Sequence, residues 1–287
     1  MFQKLFIISI VFSLTIMACN KEDQSPSISN SEKALALIEA IETGDPAALD
    51  YISDDQYIQH NLAFPDGKSG IASLLQGTAT GFSVTNHRVF EEGDIVVTHN
   101  TYGGTWNNGV PQIAFDVFRF EDGLIVEHWD NLQDEVSASN TASGRSMVDG
   151  PTQVTDIEQT DANKKLVTDF VTNVLKGGQG NTITDYISTT QYDQHNPSVG
   201  DGLSGLNTAL QYFANNNLLL QYDQVHHVHA AGNFVLTISE GLFGAGAGDH
   251  VAYYDLFRVE AGKIVEHWDV IETIPAMADW KNQNGKF

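Results

Sequence analysis

Cations and cysteine are what this chain has least of. Its 287 residues carry 14 Lys+Arg against 37 Asp+Glu, a formal net charge of −23. Such a surface repels phosphate, and no Lys/Arg stripe interrupts it, so nucleic acid is excluded as a partner. A single cysteine, Cys19, leaves no internal disulfide and no Cys-based metal cluster. No apolar run is long enough to cross a bilayer comfortably: the longest, residues 5–17, falls short of the ~20 residues a spanning helix needs. At 41% apolar residues the chain is not disordered, and its length suggests about two domains.

What is present starts at the N-terminus. Lys4, the apolar run and Ala18-Cys19 have the layout of a signal peptide. Ile16-Met17-Ala18-Cys19 resembles a bacterial lipobox, in which the cysteine is lipidated and becomes the mature N-terminus; an ordinary cleaved secretory signal is the alternative. Asn20-Lys21-Glu22-Asp23 resembles the acidic export tag of some Bacteroidetes surface lipoproteins. The expectation is a signal peptide over 1–19, a tether over 20–30, and a cell-envelope protein held to the outer membrane only through a lipid on Cys19.

The rest is duplicated. Asp116-Val117-Phe118-Arg119 recurs as Asp255-Leu256-Phe257-Arg258, and residues 125–130 (Ile-Val-Glu-His-Trp-Asp) recur identically at 264–269, both shifted by 139. Upstream, Gln59-His60-Asn61 recurs as Gln194-His195-Asn196, shifted by 135, so the second copy is four residues longer over the stretch that matches Gly70 to His87 of the first. Ala34, Leu35, Ile38 and Ile41 fall at helical spacing before Gly44; Leu166 to Leu175 do the same before Gly177. Pro46 suits the first turn of a second helix, and short helices are expected near 71–76 and 206–214. Strands are expected at 84–90, 95–105, 112–120 and 124–132, with Gly93-Asp94 and Asp122-Gly123 as turns. Helices followed by an antiparallel sheet make each repeat α+β. The repeats are placed at 31–135 and 161–275, with a linker at 136–160 and a tail at 276–287.

The element order, the Asp-x-Phe-Arg strand and the Ile-Val-Glu-His-Trp-Asp strand resemble the nuclear transport factor two-like superfamily, and within it the SnoaL-like (polyketide cyclase-like) branch. The resemblance implies two tandem cone-shaped curved sheets, each wrapped around N-terminal helices and leaving a pocket. Relatives commonly dimerise through the sheet, so the two copies are expected to form a pseudo-dimer within one chain. The fold hosts cyclases, isomerases, dehydratases, epoxide hydrolases and plain binding modules, so it does not name a reaction.

Strand parity sorts the candidate site. Asp116 and Asp255 match the position where ketosteroid isomerases carry an acid that donates to an oxyanion, which implies that both point inward. His128 and Asp130, and likewise His267 and Asp269, then share the concave side. Such His–Asp sets suit general acid–base chemistry; mutual satisfaction of buried polar groups is the competing reading. His60 and His195 sit at the pocket rim in the family pattern. The isomerase base would fall at Asn61 and Asn196, so it is absent here; these histidines and asparagines are candidate substrate contacts or turn-stabilising pairs. His99 matches an inward position of relatives, where the second copy has Ile238, and this favours the first pocket as the working one. His226, His227 and His229 offer a His-x-His spacing but no third ligand, so no metal and no cofactor are expected, and an exposed strand face is the simpler reading. Trp129, Trp268, Arg119 and Arg258 fall on the convex face, the arginines pairing with acids where the copies meet.

Three functions remain open. One is a cofactor-free enzyme for a small apolar carbonyl compound, running an aldol-type condensation, cyclisation or isomerisation. The second is a lipoprotein that binds a small hydrophobic molecule, and the third an interaction module using the convex face.

Overall fold

The computed structural model describes residues 28–77 and 81–287. The signal peptide and Cys19 lie outside the described residues. Helix α1 (Asn30–Thr43) begins at a capping box: the Ser29 hydroxyl accepts from Glu32 N, and the Glu32 carboxylate accepts from Ser29 N at 2.6 Å. Gly44, at φ 70°, ends it by donating to the Ala40 carbonyl. Its inward face is Ala34, Leu37, Ile38 and Ala40, so Leu37 takes the place expected of Leu35. Pro46 opens a 3₁₀ turn (Pro46–Tyr51), and α2 (Lys68–Gly77) follows.

The first sheet contains β1 (Ile58–Gln59), β2 (Phe82–Glu92), β3 (Ile95–Gly104), β4 (Gln112–Glu121) and β5 (Leu124–Asp134), in the order β1-β5-β4-β3-β2. Four strands form an antiparallel meander, whereas β1 joins β5 in parallel, so the sheet is mixed rather than antiparallel throughout. The second repeat repeats this plan. Helix α3 (Thr160–Phe170) continues into a π turn (Val171–Lys176), followed by α4 (Ile183–Tyr186), β6 (Asp193–Gln194) and α5 (Gly202–Asn215). Then come β7 (Leu218–Ala231), β8 (Phe234–Ala245), β9 (Asp249–Glu260) and β10 (Lys263–Thr273), in the order β6-β10-β9-β8-β7.

The four-residue gain has a structural location. Opposed pairs match Val84–Tyr102 to Tyr222–Gly241, a shift of 138 on the outer strand, and Arg88–His99 to His227–Ile238, a shift of 139. Three residues therefore enter before the strand, where α5 has 14 residues against 10 in α2, and the fourth is a second bulge in β7. Both helices start with a glycine pressed on the preceding loop: a Cβ at Gly70 would lie 2.5 Å from the Pro65 carbonyl oxygen, and one at Gly205 2.2 Å from that of Gly200.

Each repeat fills its cone with its own helices, and a third core lies between the two convex faces. There Trp129, Phe115 and Val117 meet Phe234, Leu236, Tyr254 and Trp268. Parity produces this arrangement: in β5 and β10 the tryptophans alternate with the inward His and Asp residues. Asn131 ties the sheets by donating to the Ala252 and Val270 carbonyls at 3.0 and 2.7 Å.

The stretch after each sheet crosses to the other repeat. Ala142 N donates to the Pro197 carbonyl and Lys281 N to that of Leu62, both at 2.8 Å. The Ser146 carbonyl meets the His195 ring at 2.7 Å and the Gly285 carbonyl meets that of His60 at 3.0 Å. Both pairs of equivalents are 139 apart, so the start of the expected linker is the counterpart of the C-terminal tail.

Candidate functional site

In the first cone, His128 and Asp130 of β5 lie beside Asp116 of β4, and all three are buried. Gln59 Oε1 accepts from Asn61 N at 2.9 Å, which fixes the amide, and the same oxygen lies 2.9 Å from His128 Nδ1. His128 must therefore donate from Nδ1. Its Nε2 faces Asp116 Oδ1 at 3.2 Å. Two acceptors on one imidazole require a proton on both nitrogens, or a proton on Asp116. The pair thus holds one transferable proton. Asp116 Oδ2 also accepts from Asn100 Nδ2 at 2.7 Å and from the Tyr102 hydroxyl at 2.9 Å. Asp130 differs: Asn61 Nδ2 donates to Oδ2 at 2.6 Å, while Oδ1 is buried without a hydrogen-bond partner among the described residues. Burial pushes its pKa up to about 6, against the pull of His128 and Lys286.

The second cone repeats this geometry. Gln194 Oε1 fixes His267 Nδ1 at 3.0 Å, and His267 Nε2 meets Asp255 Oδ1 at 3.0 Å. Burial opposes the charged imidazole, but the Asp255 hydrogen bond and the Asp269 and Asp255 charges outweigh it, and the His267 pKa is raised. Asn196 donates to Asp269 Oδ2 at 2.6 Å, Oδ1 again has no hydrogen-bond partner among the described residues, and burial raises Asp269 to about 6. One tyrosine has moved. Tyr102 on β3 is replaced by Gly241, while its cross-strand neighbour Val84 is replaced by Tyr222, whose hydroxyl reaches Asp255 at 3.2 Å.

The cavities differ in size, about 50 Å³ in the first cone and about 310 Å³ in the second. Tyr102, Trp106 and Phe82 crowd the first; by register and shift their counterparts are Gly241, Ala245 and Leu220. A drug-sized ligand needs roughly 300 Å³ or more, so only the second cavity is of that class. The sequence favours the first pocket, whereas the second is the one with room for such a ligand.

Residues 34–128 match the family model of the SnoaL-like domain. The first repeat is a SnoaL-like domain. Solved structures similar to a stretch of about one repeat include IdmH, a candidate polyketide cyclase from Streptomyces antibioticus, at 26% identity and TM-score 0.32, spanning 37% of this chain and 93% of that one. TsrD from Streptomyces laurentii shows 26% identity and TM-score 0.31 over 36% and 89% of the two chains. A nuclear transport factor two-like protein of unknown function from Cytophaga hutchinsonii shows 19% identity and TM-score 0.33 over 38% and 95%. No curated protein matches the chain.

The SnoaL-like cone brings together Asp116, His128, Asp130 and Asn61, and its copy gathers Asp255, His267, Asp269 and Asn196. The asparagines hold the buried carboxyl rather than standing free: each gives its amide to the Asp and takes a backbone N–H on its oxygen. Three expected contacts are corrected. His60 and His195 lie on the convex face, because Gln59 and Gln194 take the inward places opposite His128 and His267. They stack on Trp129 and Trp268 at 4.8 and 4.7 Å and bond Glu127 and Glu266. His99 pairs with Phe115, not with inward Asp116, and stacks on it at 4.3 Å; burial, then nearby Arg88, holds its pKa well below the usual value.

The His226 cluster is not an exposed face either. His227 packs on Trp129 at 5.4 Å, His229 lies 3.6 Å from Glu92, and His226 stacks on Phe287 at 4.0 Å. Arg119 and Arg258 pair with Glu127 and Glu266, acids of their own repeats on the convex face. The His–Asp–Asp sets could bring three ligand atoms within 4.8 Å of one another around a cation. Binding one would break the His–Asp hydrogen bond, and the pocket walls are mainly apolar. Gln59, Gln194, Asn100, Tyr102 and Tyr222 were not among the sequence candidates. The repeated Gln-His-Asn step carried the signal for the glutamines, since parity puts Gln and Asn on one face.

Proposed function

We propose that the second cone is a cofactor-free acid–base site for a small, mainly apolar carbonyl compound. One observation carries this reading: Asp269 Oδ1 is buried, has no hydrogen-bond partner among the described residues, belongs to a carboxyl raised to about 6, and is set beside a hydrogen-bonded His–Asp pair. Above that pH Asp269 takes a proton from the carbon next to the carbonyl, and the developing enolate is met by the proton held between His267 and Asp255. Asn196 orients the base, and Phe170, Leu206, Phe213 and Phe257 supply apolar walls. Aldol-type condensation, cyclisation and isomerisation share this step.

The narrow first cavity favours a second reading for that repeat, as the structural half of the pseudo-dimer. The lipid on Cys19 and the outer-membrane location belong to the same proposal, supported by the lipobox-like step. Among the described residues no helix is long and apolar enough to cross a membrane.

The test is deuterium exchange at the α-carbons of 2-octanone in D₂O, followed by NMR. The wild type exchanges faster than buffer, with a rate that rises through about pH 6 as Asp269 loses its proton. Asp269→Asn lowers the rate by about 10²-fold or more, while Asp130→Asn leaves most of it. Exchange no faster than buffer, or an unaffected Asp269→Asn variant, would end the assignment.

A further inference from the structure

The second cavity is not built from the second repeat alone. Gln133 of the first repeat and Val136, the residue that opens the linker, also line it. Gln133 sits on the convex face of β5, by parity with Trp129 and Asn131, and its oxygen accepts from Ile271 N at 2.9 Å. Only the amide oxygen can accept, so this bond fixes the orientation of the group and leaves the NH₂ as its other end. Among the described residues no acceptor takes that NH₂. Ile271 and Asp269 are two residues apart on the same face of β10, about 7 Å along a strand. The anchored amide and the unpartnered carboxyl oxygen thus belong to neighbouring positions of one cavity wall.

The symmetry-related position behaves differently. Glu272, equivalent to Gln133, accepts from Leu132 N at 3.0 Å in the same way, but its carboxylate is held by Lys286 at 2.7 Å. Glu272 does not line the first cavity. Lys286 has Met147 as its equivalent in the first copy, so no cation stands beside Gln133 in that role. Of these two equivalent positions, only Gln133 offers a neutral donor without a partner among the described residues, and it stands at the larger cavity.

We propose that Gln133 is a specificity-determining residue of the second pocket, its amide NH₂ donating to an acceptor oxygen of the bound compound. The site would then be completed by the first repeat. This rests on the reading of the second cone as a carbonyl-compound pocket and adds which group of this chain reads the oxygen.

The test uses two isosteric probes, 2-octanone and 2-methyl-1-octene, whose C=O and C=CH₂ groups differ in accepting a hydrogen bond. Their Kd values are measured by NMR titration of the full chain. Wild type binds the ketone more tightly than the alkene. Gln133→Glu keeps the Ile271 anchor, as Glu272 shows a carboxylate can, but removes the donor. It weakens the ketone about three- to tenfold and leaves the alkene unchanged. Gln133→Ala does the same to the ketone, with thermal melting reporting any loss of fold. If the wild type binds the ketone and both variants bind it equally well, Gln133 does not read the oxygen. If the wild type binds neither probe, the pocket reading itself is overturned and this inference falls with it.

Discussion

Asp269 shows how burial and hydrogen bonding divide the work within one carboxyl group. Asn196 anchors one oxygen, and the other is left to burial, which raises the pKa from 3.8 to about 6. A raised carboxyl pKa means that the folded chain holds a proton the unfolded chain has lost between those two values. Stability from this group is therefore present below pH 3.8 and is lost as pH rises to about 6. Asp269→Asn removes the charge and keeps an oxygen for Asn196. Urea unfolding should find the variant close to wild type at pH 4 and more stable by up to about 3 kcal/mol at pH 8. A difference that does not change with pH would mean the carboxyl is not buried as described. This behaviour was only partly legible in the sequence. Parity put His267 and Asp269 on one face, but their partners, Gln194 and Asn196, arrive from a two-residue strand and the turn after it, over 70 positions away.

Element by element, local sequence signals and observed boundaries coincide where the chain's own chemistry closes the element. Ser29, Glu32 and Gly44 close both ends of α1 with hydrogen bonds made inside the segment. Ser29→Ala should cost about 1 kcal/mol and lower the melting temperature by about 2–4 °C; an unchanged melting temperature would show that tertiary packing alone holds the helix. The strands from β2 to β5 likewise end within two residues of their expected limits, because turn residues bound them. Where partners from elsewhere decide, the sequence misleads. β1 is too short to show a period, so its parallel pairing, and with it the outward turn of His60, was not visible. Thr98 and His99 are equally plausible inward residues until the register with Asp116 is known.

Taken as a whole molecule, the two repeats lend each other their C-terminal extensions. Asn282 donates to the Asn61 and Phe64 carbonyls at 2.8 and 3.0 Å, and Asn284 to the Gln59 carbonyl at 3.0 Å. Removing residues 276–287 should therefore loosen the first repeat rather than the second. Hydrogen exchange should lose protection over residues 57–64 and retain it over 192–199, which the stretch after β5 continues to cover. Equal loss in both regions would show that the tail acts only through global stability. This exchange of segments was hidden because most of the symmetric contacts run through backbone groups, such as the Ser146 and Gly285 carbonyls, and leave the side chains free to differ.

By itself, the sequence determined the duplication, the α+β class and which residues share a face of β4, β5, β9 and β10. These follow from local periodicity and from a repeat shift that survives intact; which face is concave was implied by the family resemblance. Only the tertiary structure decided which cone has room, because cavity size depends on how Tyr102, Trp106 and Phe82 of the first repeat, and Gly241, Ala245 and Leu220 of the second, meet across strands. It also decided that Gln133 of one repeat stands at the pocket of the other, since no spacing along the chain records where two convex sheets come to rest.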